Sequence, residues 1–256
     1  MEDITKIEDI KIIEDLIQFI LQTDDIECDG SRGSDISIPI YDISPEEFLD
    51  FAGSAMKSGT KEGIVNAVSN LKRALDCEMD MFFESINMKR VLDKNNLGFE
   101  KKTCFLADIG MFPIQSINKL NWMRNKMEHE YKTPEISDLN AYYEIVWSAV
   151  KIIDLYLELL YINGEIWFLL HRKDRKYYLT MKQDVEECGF IFEVADLTKE
   201  KEKKKKLVNI KLGGKSEVRN YTIAFNLYLL SIQYFDYGNG NLYRNKLRRL
   251  IASESM

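Results

Sequence analysis

Proline and glycine are scarce, with 4 and 13 copies in 256 residues. So little turn punctuation excludes a collagen-like or Pro/Gly-rich disordered chain and favours long helices. The four cysteines, Cys28, Cys77, Cys104 and Cys188, are scattered without a C-x-x-C pair. That spacing argues against a disulfide framework or a structural zinc site and for reduced thiols. No run approaches the roughly 20 apolar residues needed to cross a bilayer. The opening MEDITKIEDI is acidic where a secretory signal would be basic and then apolar. The expectation is a cytoplasmic protein without membrane contact.

What is present is 45% hydrophobic and 11% aromatic residues, enough for one large domain or two modest ones. The formal charge of −7 excludes a uniformly basic nucleic-acid binder. The charge is unevenly spread: residues 1–42 hold 12 acids and 3 bases, 43–163 hold 18 and 14, and 164–256 hold 12 and 18. The split suggests an acidic N-terminal arm and a basic C-terminal lobe with separate tasks.

Three parts follow from the pattern: residues 1–43, 44–163 and 164–256. Ile4 to Leu21 carries an isoleucine stripe at helical spacing, and TDDIECDGSRGSD after it has the composition of a mobile linker. ISIPIYD is expected as an edge strand at most, because Pro39 forbids a central one. Ser44-Pro45-Glu46-Glu47 then supplies a helix start. Apolar residues at Ile64, Val68, Leu71, Leu75, Met79, Phe82 and Ile86 mark a long helix. Shorter helices are expected at 99–112 and 114–130, bounded by Pro113 and Pro134. Leu139, Tyr143, Val146, Val150, Ile153, Leu157 and Leu160 alternate spacings of four and three, as near-antiparallel bundle packing requires. Beyond Gly164 the period changes to four short strands near 165–171, 176–182, 189–194 and 207–212. Residues 221–235 suit either a buried helix or a long strand, and 241–252 read as a closing helix. The fold class expected is mainly α: an antiparallel bundle with a C-terminal α+β lobe and an N-terminal acidic helical arm.

Familiar catalytic devices are missing. LGGKSE at 212–217 ends like a phosphate-binding loop, but Asn209 stands where its first glycine belongs. No cofactor motif and no metal-ligand spacing appears, so neither is expected. Imidazole chemistry must fall on one of two histidines. His171 reads as a strand-end residue beside a charged turn, which leaves His129 within NWMRNKMEHEY.

Arg124, Asn125 and His129 fill the Arg-x4–6-His signature, with its polar residue after the arginine, and the chain here resembles the HEPN superfamily. The order of helices over about residues 60–163 is similar to that family's, which makes the expected bundle HEPN-like. The resemblance implies a metal-independent endoribonuclease working as a homodimer, with Arg124, Asn125 and His129 catalytic. It also implies a toxin or effector of phage defence or growth arrest, with an antitoxin or a phage-derived trigger as partner. Tyr131 extends the match to Arg-x4-His-x-Tyr, a place where related toxins receive adenylyl groups. The alternative in the same family is a non-catalytic dimerisation or nucleotide-binding module, with the C-terminal lobe as a sensor or protein-recognition domain.

The residue chemistry suffices for RNA cleavage. RNA carries its own nucleophile, the 2′-hydroxyl, so the protein need only move protons and stabilise charge. An imidazole exchanges protons near neutral pH, and a guanidinium holds phosphate oxygens at two points. On a straight helix Arg124 and His129 lie about 140° apart, so two copies across a two-fold axis are the favoured way to bring them together. Asn118, Trp122, Asn125 and His129 share one face.

Each residue also has a plainer use. Arg124 and Glu128 suit a helix ion pair, His129 suits a helix end, Tyr131 suits packing there, and Trp122 suits either core cover or RNA stacking. KEKEKKKK at 199–206 fits a solvated hairpin tip. Alternatively Lys203, Lys204, Lys205 and Lys206, with Arg244, Lys246, Arg248 and Arg249, would form an RNA-binding surface that the acidic first helix covers at rest.

Overall fold

The computed structural model describes residues 4, 6–94, 98–133, 136–198, 204–212 and 217–252, with side chains there except at 92–94, 116, 119, 120, 123, 124, 136–138 and 237. Contacts divide the chain into two units, residues 1–36 with 159–256 and residues 37–158. Helix accounts for 59% of the described residues and strand for 18%. Among the described residues no helix is long and apolar enough to cross a membrane.

The first unit is built on an antiparallel sheet in the order β1 (Asp25–Arg32), β2 (Glu165–Arg172), β3 (Arg175–Asp184), β4 (Gly189–Asp196) and β5 (Lys205–Lys211). Alternation along β2 to β4 sends Ile166, Phe168, Leu170, Tyr177, Leu179, Met181, Phe190, Phe192 and Val194 into the core. Their partners are α1 (Ile13–Leu21) and α8 (Val218–Tyr237). Phe19 meets Tyr177 edge to face at 5.0 Å, and Phe190 touches Tyr221, Phe225 and Tyr228. Two phenols of α8 find acceptors: the buried Tyr228 donates to the carbonyl of Asn163 and the half-buried Tyr234 to that of Ile26, both at 2.6 Å. The closing helix, α9 (Gly240–Ala252), buries Tyr243 and Leu247. Gly164 is required where the chain enters β2, because a Cβ there would lie 2.2 Å from the Cα of Ser34.

The regular elements among the described residues of the second unit are all helices: α2 (Pro45–Lys57), α3 (Lys61–Ser85), α4 (Lys89–Lys94), α5 (Phe99–Asp108), α6 (Ile114–Glu130) and α7 (Ile136–Ile162) up to its last turn. The start of α2 is a reciprocal cap. Ser44 Oγ accepts from Glu47 N at 3.1 Å, and Glu47 Oε2 accepts from Ser44 N at 2.8 Å. Thr60 Oγ1 caps α3 through Gly63 N at 3.0 Å. The α3 stripe from Ile64 to Ile86 is buried, as are Leu139, Val146, Val150, Ile153 and Leu157 of α7. Each such side chain contributes roughly 1.5–3 kcal/mol by leaving water.

The expectation of a mainly α bundle with an appended lobe and arm is overturned; the fold is mixed α+β, with a five-stranded sheet at the heart of one unit. Two causes lie in the N-terminal segment. The supposed linker is β1, paired to β2 from Asp25↔His171 to Arg32↔Glu165 with a bulge at Cys28/Gly30. Only Ile26 of this strand is buried, so no alternating pattern marks it, and its partner lies about 140 positions away. The supposed arm is core: Ile7, Ile10, Ile13, Leu16, Ile17, Phe19 and Ile20 are buried. Nor is it one helix. A 3-10 turn at Ile7–Asp9 precedes α1, which starts where Asp15 Oδ2 accepts from the backbone of Lys11 and Ile12. ISIPIYD forms no strand; Ile36 is buried while Ile40 is 97% exposed.

Candidate active site

Helix α6 begins after Pro113, whose ring fixes the entry, and ends at Glu130, where Tyr131 turns left-handed (φ 57°, ψ 29°). It packs against α3 and α5, with Ile117 and Met127 buried. The opposite face is open. Asn118, Trp122, Asn125 and His129 are all exposed, as helical spacing requires of positions separated by four, three and four. Neither Asn125 nor His129 makes a hydrogen bond or ion pair among the described residues. Trp122 is 52% exposed, so its indole does not serve as core cover. The Lys126 ammonium sits 3.9 Å from its ring centroid.

Tyr131 is 89% exposed, which removes the reading of an aromatic packed at the helix end. Beside it Glu130 pairs with Lys132 at 2.8 Å, and that hydrogen bond lowers the carboxyl's pKa. The side chain of Arg124 lies outside the described residues. Its main chain is regular helix, which keeps position 124 about 140° round the axis from His129. The structure thus places Asn118, Trp122, Asn125 and His129 on one exposed face of α6 and Tyr131 just past its end, and does not describe how the guanidinium meets them.

The basic residues belong to the other unit. Lys203 lies outside the described residues. Lys204 pairs with Glu8 at 2.7 Å, lowering that acid's pKa, and Lys205 pairs with Glu193 at 2.8 Å. Lys206 is half-buried on β5, and Arg248 and Arg249 are exposed on α9. Arg244 is spent on structure: its Nη1 donates to the carbonyls at the end of α1. The first helix meets basic residues through Arg219–Glu14 at 3.7 Å, but with its apolar stripe in the core it is no detachable cover.

One unusual group lies outside this face and outside the motif. Glu78 stands in the α3 stripe, three residues after Leu75 and four before Phe82, and is only 3% exposed. Its Oε1 has no partner among the described residues. Burial pushes its pKa up to about 8, Asp154 and Glu46 add to the rise, and Lys151 opposes it. Lys151 is held at 2.8 Å by Glu46 and 3.9 Å by Asp154. A carboxylate in a core stripe is the signal that would have found it.

No protein-family model matches the chain, and no curated protein or solved structure resembles it.

Proposed function

We propose that α6 carries an endoribonuclease site of the HEPN type, with Arg124, Asn125 and His129 as its catalytic groups. The observation that carries this reading is the open face of α6, where Asn125 and His129 stand exposed, with no side-chain bond among the described residues, beside a solvent-facing tryptophan. An asparagine and a histidine kept for packing would be buried or bonded.

In this reading His129 takes the proton of a 2′-hydroxyl as the 2′-oxygen attacks the adjoining phosphorus. The bond from phosphorus to the 5′-oxygen breaks, and that oxygen receives a proton from a second imidazole or from water. The products are a 2′,3′-cyclic phosphate and a 5′-hydroxyl. Arg124 stabilises the charge gathering on the non-bridging oxygens, and Asn125 orients the phosphate or the imidazole. Proton transfer of this kind contributes about 10²- to 10⁴-fold in rate. Since positions 124 and 129 diverge on one helix, arginine and histidine converge through two copies of the chain. An effector of growth arrest or phage defence, held in check by an antitoxin or awaiting a phage-derived trigger, is the biological setting proposed. Lys204, Lys205, Lys206, Arg248 and Arg249 are assigned to the RNA backbone, and Tyr131 to control by modification.

The test is cleavage of total RNA by purified protein in excess chelator, beside Arg124→Ala and His129→Ala. Cleavage by the parent that both variants lose supports the site. Cleavage that persists in either variant removes that residue from catalysis, and intact RNA throughout favours a non-catalytic module.

A further inference from the structure

We propose that a cleft between α2 and α7 binds a zwitterion of dipeptide size, with Asp50 taking its ammonium and Lys57 its carboxylate. The cleft lies within the helical unit, and the proposal stands independently of the ribonuclease reading of α6.

Glu46 of α2 and Lys151 of α7 clasp the two helices at 2.8 Å. Further along α2, Asp50, Gly53, Ser54 and Lys57 share one face, as their spacing of three, one and three requires. Together with Asn140 and Tyr143 of α7 they line an open cleft of about 780 Å³. The charges on α2 show what it would take. Glu46 is paired with Lys151, and Glu47 Oε2 accepts from Ser44 N. The remaining two, Asp50 and Lys57, are exposed, have no partner among the described residues, and both line the cleft. Seven residues separate them, outside the spacing of three or four at which helix charges pair. A molecule with a cation at one end and an anion at the other satisfies both through charge-assisted hydrogen bonds.

The middle of the cleft fits a peptide group. Ser54 supplies a hydroxyl there, and Asn140 an amide that offers donor and acceptor together. Neither side chain bonds to another described residue. Two extended residues reach about 7 Å, and a hydrogen bond of about 3 Å at either end carries them between charges set two helical turns apart. The half-buried Tyr143 and Met56 give an apolar wall, which suits an apolar side chain on the ligand.

Gly53 points the same way. Glycine inside a helix is unfavourable beside alanine, and packing does not demand it here. A Cβ would meet nothing closer than the Tyr143 ring and hydroxyl at 3.6 Å, which is ordinary contact. What the missing methyl leaves bare is the lining of the cleft.

Isothermal titration of the full chain with alanyl-leucine, its N-acetyl form and its C-terminal amide tests the assignment. The free dipeptide is expected to bind, and blocking either end should weaken it on the order of tenfold. Asp50→Asn should bind the free and acetylated dipeptides alike, and Lys57→Gln the free dipeptide and its amide alike, since each variant has lost the group that reads that end. Gly53→Ala should weaken the free dipeptide while melting no lower than the parent, so that the loss is not unfolding. A parent protein that binds none of the three overturns the proposal. So do blocked forms that bind as well as the free one, charge variants that keep the parent's preference, or a Gly53→Ala protein that binds like the parent.

Discussion

Arg244 donates from Nη1 to the carbonyl oxygen of Thr23 at 2.7 Å, with longer contacts to Leu21 at 3.3 Å and Ile20 at 3.5 Å. α1 ends at Leu21, where the Ile20 carbonyl also accepts from Thr23 N and Oγ1, and the guanidinium adds a cation at the negative end of the helix dipole. On α9, Arg244 and the half-buried Lys246, which donates to Gln233 Oε1 at 3.0 Å, tie the helix to its neighbours, while Arg248 and Arg249 face solvent. Arg244→Ala is expected to destabilise the sheet-containing unit by about 1.5–3 kcal/mol. Arg248→Ala and Arg249→Ala should stay within about 0.5 kcal/mol. Urea midpoints followed by circular dichroism separate the two cases, and a neutral Arg244→Ala would contradict the capping role.

Glu78 makes the stability of the helical unit depend on pH. Its carboxyl is raised from 4.5 to about 8 by burial in the folded protein, whereas an unfolded chain releases the proton near the ordinary value. Between those limits the folded state holds a proton that the unfolded state has lost. Stability should therefore fall as pH rises across this window, by up to about 1.4 kcal/mol per pH unit, and level off above it. Glu78→Gln keeps the shape without the charge. It should flatten the profile, unfolding at higher urea than the parent at pH 9 and near the parent at pH 5. Parallel profiles for the two proteins would show that Glu78 is not the group responsible.

What the sequence made legible were the elements whose signals are local. Ser44 and Glu47 announced α2, the fours and threes of α3 and α7 announced a helical unit, and the change of period after Gly164 announced β2 to β5. α8 is ambiguous in sequence because a continuous apolar run carries no period; in the structure it is a helix packed over Phe190. The errors share a cause, which is dependence on distant partners. β1 has one buried side chain and owes its existence to β2. The isoleucines before Leu21 gave their burial away but not their destination. Arg244 looked like any surface base, since nothing near it in sequence reveals three carbonyls at the end of α1. At the candidate site, exposure of Asn125 and His129 follows from helical spacing alone, while the convergence of Arg124 with them depends on a second copy and could not be read from one chain.

Two inactive variants should rescue one another if the site is shared between copies. Arg124→Ala supplies an intact histidine and His129→Ala an intact arginine. Mixed and allowed to exchange subunits, they would form composite dimers with one complete and one doubly defective site. Activity should return to about a quarter of the parent level at random reassortment. A mixture as inactive as its components would place arginine and histidine of one protomer at each site, or remove one of them from the chemistry.

The most direct test of the central claim uses a defined RNA oligonucleotide in chelator, first cut by the parent protein and then resynthesised with a single 2′-deoxy sugar on the 5′ side of the mapped cut. Mass spectrometry of the ends is expected to find a 2′,3′-cyclic phosphate and a 5′-hydroxyl from the all-ribose strand. No cut should occur at the deoxy position, and none anywhere with His129→Ala. Cleavage at the deoxy position, or products ending in a 5′-phosphate, would contradict attack by the neighbouring hydroxyl and with it the role assigned to His129.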